Sequence, residues 1–182
     1  MALGTLRAAV HARKTGVSEP ERLVSTLALF GVDFVLIGGM AASALGVATR
    51  ARDVDICHEM GHGNLRRLVA ALRYLKAEMT VGSIGASGFS RGVTRPRIHH
   101  LTGLAGYSFQ TRWGQLDCLG RLCTGDDYAS LSRQSTVITL SGQRVLVPAP
   151  RVLVGLMTAA GGSRQMAHAA KLADAASGTD ER

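Results

Sequence analysis

Cysteines, aromatic residues, acidic residues and long apolar runs are all scarce in this 182-residue chain, and each scarcity excludes something. Three cysteines, an odd number at positions 57, 118 and 123, do not build a disulfide framework, so a reducing cytoplasm is expected. Aromatic residues make up 4% of the chain, too few for the base-stacking platform of RNA-recognition sheets. The longest apolar stretches, Phe34-Val-Leu-Ile-Gly-Gly-Met-Ala-Ala and Val145-Leu-Val-Pro, fall far short of the ~20 residues a membrane helix needs. Thirteen Asp plus Glu stand against twenty-one Lys plus Arg, a formal charge of +8 and a pI near 10.3. That excess favours a polyanionic partner, as a property of the overall field and not of any one site. What the chain does have is a core: 46% hydrophobic residues and a mean hydropathy of +0.14, enough for one folded domain.

The first seventeen residues hold arginines but no acids and no apolar signal region, and are expected to form a basic N-terminal helix. The domain proper is expected over residues 18–176, with a frayed tail at 177–182. Ser18-Glu-Pro-Glu21 reads as a helix start with a capping box, and Gly31 as its end. Phe34-Val-Leu-Ile predicts a buried strand, and Met40–Leu45 a brief helix closed by Gly46. A second strand is expected at Asp53–Cys57. Asn64 is expected to cap a helix carrying Leu65, Leu68, Val69, Leu72 and Leu75 on one face. Residues 80–106, rich in Gly, Ser and Arg, read either as a long functional loop or as a ragged sheet edge. Strands follow on both sides of Gly114. The segments Thr136–Leu140 and Gln143–Val147 form a hairpin across Ser141-Gly142, and a last helix starts near Val152. Helices and strands that alternate around a hairpin predict an α/β fold with a mixed sheet flanked by helices.

Three acids stand on or beside predicted strands. Asp53 and Asp55, two apart, point to the same face of an extended chain. Asp117 lies within the apolar strand Leu116-Asp117-Cys118-Leu119, where a lone carboxylate is costly to bury. Carboxylates gathered on a sheet repel one another unless a cation intervenes, and Mg2+ is commonly held by a few carboxylates plus substrate phosphates. Upstream, Gly38-Gly39 joins a strand to a helix, where the backbone can approach a triphosphate and offer free N–H donors. Singly these features are weak; their order along the chain is what points to function.

The run Phe34-Val-Leu-Ile-Gly-Gly-Met-Ala-Ala, with Gly46, Arg50 and Asp53-Val-Asp55-Ile, resembles the signature of the nucleotidyltransferase superfamily with the DNA polymerase beta-like fold. Within it the likeness is greatest to the small bacterial group related to the AbiEii and MenT toxins of toxin–antitoxin systems. It extends from about residue 22 to residue 172 and includes Trp113-Gly-Gln-Leu-Asp117-Cys-Leu and the hairpin. The resemblance implies that Gly38 and Gly39, with Arg50 and Arg164 as cations, hold a nucleoside triphosphate. It also implies that Asp53, Asp55 and Asp117 bind Mg2+ (or Mn2+), with Asp117 as base for the acceptor hydroxyl. The implied reaction moves a nucleoside monophosphate to a hydroxyl of RNA, such as tRNA, or of protein, with an antitoxin as partner. Relatives carry a Lys where this chain has Met157, and an Asp where it has Gln165 beside Arg164. That departure raises a second reading, a fold that binds nucleotide or RNA without efficient turnover; Arg164 or Lys171 would otherwise replace the missing charge.

Other constellations carry less. Cys57-His58, His62, Cys118 and Cys123 match no compact zinc spacing. His99-His100 reads as a solvated pair, and Asp126-Asp127 as a helix start with Asp126 as cap. Arg66, Arg67, Arg73 and Lys76 either face solvent or track a phosphate backbone.

Overall fold

The computed structural model describes residues 17–49, 51–85, 88–102 and 106–177. The basic helix expected at residues 1–17 falls almost wholly outside them, as do Arg50 and the tail beyond Ser177. Helix α1 (Glu19–Leu29) opens with the expected capping box: Glu21 N–H donates to Ser18 Oγ, and Ser18 N–H donates to Glu21 Oε2 at 2.8 Å. Its Leu23, Val24 and Leu27 are fully buried. Strand β1 (Phe34–Ile37) is buried throughout and runs straight into α2 (Gly38–Ala44), which begins two residues earlier than the expected Met40.

Strand β2 (Asp53–His58) and helix α3 (His62–Tyr74) follow. Gly61, and not Asn64, caps α3. Asn64 lies in the first turn and is buried, because it ties the helix to the loop before β1. Its Oδ1 accepts from Asp33 N–H at 2.7 Å, and its Nδ2 donates to the carbonyls of Asp33 and Glu59, both at 2.9 Å. A cap side chain cannot serve its own helix end and a neighbouring loop together, so glycine takes the cap. Of the two readings of residues 80–106, the sheet edge forms. Strands β3 (Glu78–Gly85) and β4 (Gly88–Thr94) pair as a hairpin at the end of the sheet, followed by the short α4 (Ile98–Leu101).

Strands β5 (Tyr107–Thr111) and β6 (Gly114–Leu119) turn at Gly114, whose φ of +107° suits glycine alone. The short α5 (Tyr128–Ser132) is capped by Asp127, not Asp126. Ser130 N–H donates to Asp127 Oδ1, while Asp126 accepts from the Thr124 and Ser130 hydroxyls. Strands β7 (Ser135–Leu140) and β8 (Gln143–Pro148) form the expected hairpin. Ser141 and Gly142 both have positive φ, as the two-residue turn that matches strand twist requires. The last helix is two: α6 (Pro150–Ala160) and α7 (Ser163–Ser177), broken at Gly161-Gly162.

The eight strands form one mixed sheet in the order β4-β3-β5-β6-β2-β1-β8-β7, with β2 parallel to β6 and β1 parallel to β8. Val54, Ile56, Phe109, Leu116 and Cys118 are fully buried on the face that carries α1 and α3. The other face bears the acids of β2 and β6 and is flanked by α2, α6 and α7. Among the described residues no helix is long and apolar enough to cross a membrane.

Replacing Asn64 by Ala improves helix propensity yet removes three part-buried hydrogen bonds, one from the Asp33 N–H and two to the carbonyls of Asp33 and Glu59. We expect a net loss of about 1 kcal/mol or more in urea unfolding. A gain in stability would refute the structural role given to Asn64.

Candidate active site

Strand alternation puts Asp53 and Asp55 on one face, and register does the rest. Parallel pairing of β2 with β6 sets Asp55 beside Asp117 and Asp53 beside Gln115; antiparallel pairing with β1 sets Ile37 beside Asp55. The chain leaving β1 therefore turns into α2 directly against the Asp55 carboxylate. Gly38 makes that turn at φ +68°, and a Cβ there would lie 2.0 Å from Asp55 Oδ2. Conformation and space both demand glycine. A Cβ on Gly39 would lie 3.0 Å from the His168 ring, so the second glycine admits α7.

Asp55 is the electrostatic centre. Burial, the Asp117 charge, the Asp53 charge and a hydrogen bond with the Asp117 carboxyl push its pKa from 3.8 to about 7. Asp117 is steadied by Gln115, whose Nε2 donates to both of its oxygens at 3.1 Å. Asp53 Oδ2 faces Arg164 Nη1 at 3.3 Å, a partly exposed pair of small energetic weight. A cavity of about 280 Å³ opens beside Asp55 and Gly38. Its walls are mostly apolar, including Leu119, Leu122, Leu156 and Met157, with the Cys123 thiol and Gln165 among them.

Six of the expected site residues thus meet on one side of the sheet: Asp53, Asp55, Asp117, Gly38, Gly39 and Arg164. Arg50 lies outside the described residues. His168 went unrecognised in the sequence, although the spacing Arg164, His168, Lys171 is that of one helix face. All three turn toward the site's first half: Arg164 to Asp53, His168 to Gly39, and Lys171 Nζ to the Ala48 carbonyl at 3.5 Å. His168 Nδ1 and Gln165 Oε1 are buried with no hydrogen-bond partner among the described residues. Arg67 instead pairs with Asp33 on the far side of the sheet, apart from any phosphate track. Cys57 and Cys118 are buried on opposite faces of the sheet, and burial raises both thiols, Cys57 to about 12.

Among the described residues no three His, Cys, Asp or Glu side chains could hold an ion by themselves. Asp53 is turned to Arg164, which leaves Asp55 and Asp117 as the close pair. Two carboxylates, one pushed toward protonation by burial and by the charge of the other, fit a hard divalent cation completed by phosphate and water oxygens; they do not fit an all-protein cage.

The same arrangement of sheet and helices recurs in solved structures. The antibiotic-resistance factor ANT(2'')-Ia superposes with a TM-score of 0.52 over 85% of this chain and 83% of its own, at 12% identity. The fold is that of the nucleotidyltransferases. A candidate nucleotidyltransferase from Thermotoga maritima gives a TM-score of 0.49 at 13% identity, over 94% of this chain and 99% of its own. An antigenic nucleotidyltransferase-like protein from Paracoccidioides brasiliensis gives 0.45 at 16%, over 86% and 75%. At these identities the likeness concerns the fold alone. No family model and no curated protein matches the sequence.

The Asp55 shift has a defined pH signature. An acid whose pKa is higher in the folded state stabilises the fold fully below its unfolded value, and that contribution fades as pH rises through the folded one. In EDTA, stability should therefore fall between about pH 4 and pH 7 by up to about 4 kcal/mol, relative to Asp55→Asn. Urea midpoints across that range check this, and parallel curves for the two proteins would refute it.

Proposed function

We propose that the chain is a Mg2+-dependent nucleotidyltransferase that moves a nucleoside monophosphate from an NTP to a hydroxyl of RNA, such as tRNA, releasing pyrophosphate. The observation that carries this reading is the Asp55–Asp117 pair, aligned by strand register and pressed against the positive-φ turn at Gly38. Asp55 and Asp117, with Asp53 nearby, would hold Mg2+ or Mn2+, which when bound neutralises triphosphate charge and polarises the reacting phosphate. The backbone N–H groups of Gly38 and Gly39 receive the phosphates as the chain enters α2. Arg164, His168 and Lys171 set positive charge and ring N–H donors along the other side of the triphosphate. The acceptor hydroxyl oxygen bonds to the α-phosphorus, and the bond from that phosphorus to the β-bridging oxygen breaks. The hydroxyl proton passes to Asp117, held in place by Gln115, and pyrophosphate carries away the electron pair. The resemblance of the signature to the AbiEii and MenT group extends the reading to a growth-inhibiting toxin of the cytoplasm, held by an antitoxin. A protein hydroxyl is the alternative acceptor.

One observation favours a second reading, nucleotide or RNA binding without efficient turnover. Met157 is buried in the cavity wall beside Gly38 and Asp55, and Gln165 stands near it, where the resembling group carries Lys and Asp. An apolar wall there supplies no charge to the transition state.

Incubating the protein with each α-labelled NTP, Mg2+ or Mn2+, and total tRNA separates these readings. We expect label on RNA, reduced at least ~100-fold by Asp55→Asn. Mg2+-dependent thermal stabilisation by NTP without any labelled product would establish the second reading instead. Unchanged turnover in Asp55→Asn would sink the assignment of the site.

A further inference from the structure

A second cleft, of about 690 Å³, opens where the end of α3 meets the start of β3 and the segment Arg95-Pro96-Arg97 after β4. Arg73, Lys76, Arg95 and Arg97 line it, with Glu78 the one acid on its wall among the described residues. Arg73, Lys76 and Arg95 are exposed, whereas Pro96 is buried at its base. The end of α3 is firmly held. Arg112 N–H donates to the Leu75 carbonyl at 3.2 Å, its guanidinium donates to the Tyr74 carbonyl, and the same group lies 4.9 Å over the Tyr74 ring.

Lys76 occupies an unusual backbone position. The helix ends in a Schellman arrangement: Lys76 N–H donates to the Arg73 carbonyl at 3.1 Å, and Ala77 N–H donates to the Leu72 carbonyl at 2.9 Å. Glycine is the usual residue there, yet Lys76 holds the left-handed conformation at φ 54°. The position costs Lys76 conformational energy that glycine would avoid, and it sets the ammonium group at the mouth of the cleft.

The cleft and the carboxylates share one end of the sheet. Glu78 pairs with Gln110, Gln110 with Gln115, and Gln115 with Asp53. Residues paired across strands share a face, and the alternate row of Met79, Phe109, Leu116 and Val54 is buried on the other. Three strand spacings place Glu78 about 14 Å from Asp53. Between them lies an open polar floor, since Glu78, Gln110 and Gln115 are all exposed.

We propose that this cleft binds the phosphate backbone of a single-stranded RNA acceptor, whose terminal hydroxyl follows the Gln110–Gln115 row to the Asp55–Asp117 pair. The binding stands by itself; the delivery of the hydroxyl rests on the transfer reading above. A nucleic acid fits better than a protein partner, because the cleft sets cations around a polar floor and, among the described residues, has only Ala77 and Pro96 as apolar lining, without the anchor pockets that protein partners fill. With no aromatic side chain among the described residues of the cleft, binding is sequence-tolerant and strongly salt-dependent.

The test is the affinity of an end-labelled single-stranded oligoribonucleotide, by fluorescence anisotropy, across salt from about 50 to about 200 mM. The R73E/K76E/R95E variant is expected to bind at least ~10-fold more weakly, with the log–log salt slope smaller by about 2, the loss of three phosphate contacts. R66E/R144E/R151E makes the same change of net charge at exposed positions outside the cleft, and is expected to keep the wild-type slope. Equal losses in both variants, or none in the first, would overturn the proposal. K76G is expected to melt about 2–4 °C higher, as the left-handed position is relieved, while binding RNA more weakly; higher stability with undiminished RNA affinity would also overturn it. Wild-type protein that ignores RNA but binds polyglutamate through the same cations would replace the RNA with an acidic protein. Mg2+-dependent stabilisation by NTP, measured on the same variants, should be unchanged. If the wild type lacks that stabilisation but keeps cleft-dependent RNA binding, the transfer reading falls and the cleft stands.

Discussion

Two carboxylates held side by side on neighbouring strands set the terms for the rest of this molecule. Asp55 and Asp117 cannot separate by sliding, because a shift of one residue along β2 or β6 would drive the acids into the apolar layer and expose Val54 and Leu116. The repulsion is thus locked in by hydrophobic burial on the opposite face of the same strands. What surrounds the pair follows from that. The turn at Gly38 passes so close that no side chain fits, Gln115 steadies one carboxylate, and Arg164 draws off the neighbouring Asp53.

Stability and chemistry are divided between the faces of the sheet. Under α1 and α3 lie fully buried leucines and the inward Asn64 that fastens α3 to the loop before β1. Opposite, α6 and α7 leave an apolar cavity and a strip of basic side chains close to the acids. The break at Gly161-Gly162, both with positive φ, lets α7 fold back on α6 and present Arg164, His168 and Lys171 toward β2 and the Gly-Gly turn. An uninterrupted helix would have carried them away from the sheet. The proposed acceptor cleft lies at the same end of the sheet, joined to the carboxylates by a row of paired polar residues, so one extended polyanion can touch both.

Local and periodic information was readable in the chain. Alternation placed Asp53 and Asp55 on one face, the capping box at Ser18 started α1 where expected, and Ser141-Gly142 specified a hairpin, because each depends on residues within a few positions of one another. The order of strand, Gly-Gly, helix and D-x-D was likewise visible. Where a residue's role was settled by a distant partner, local rules misled. Asn64 looked like a cap but serves Asp33, and Asp126 looked like a cap but yields to Asp127, since the sequence does not reveal which polar group finds a buried partner.

The sequence by itself determined the fold class, the strand that carries two acids and the glycines that must precede it. Only the tertiary structure decided that Asp117 stands beside Asp55, that His168 faces Gly39, that Arg67 is spent on Asp33, and that Arg73, Lys76 and Arg95 share one cleft. The physical reason is range. Backbone preference and side-chain periodicity act over a turn or a strand, whereas charge, desolvation and close contact depend on what the register of the sheet and the return of α7 bring together from residues tens of positions apart.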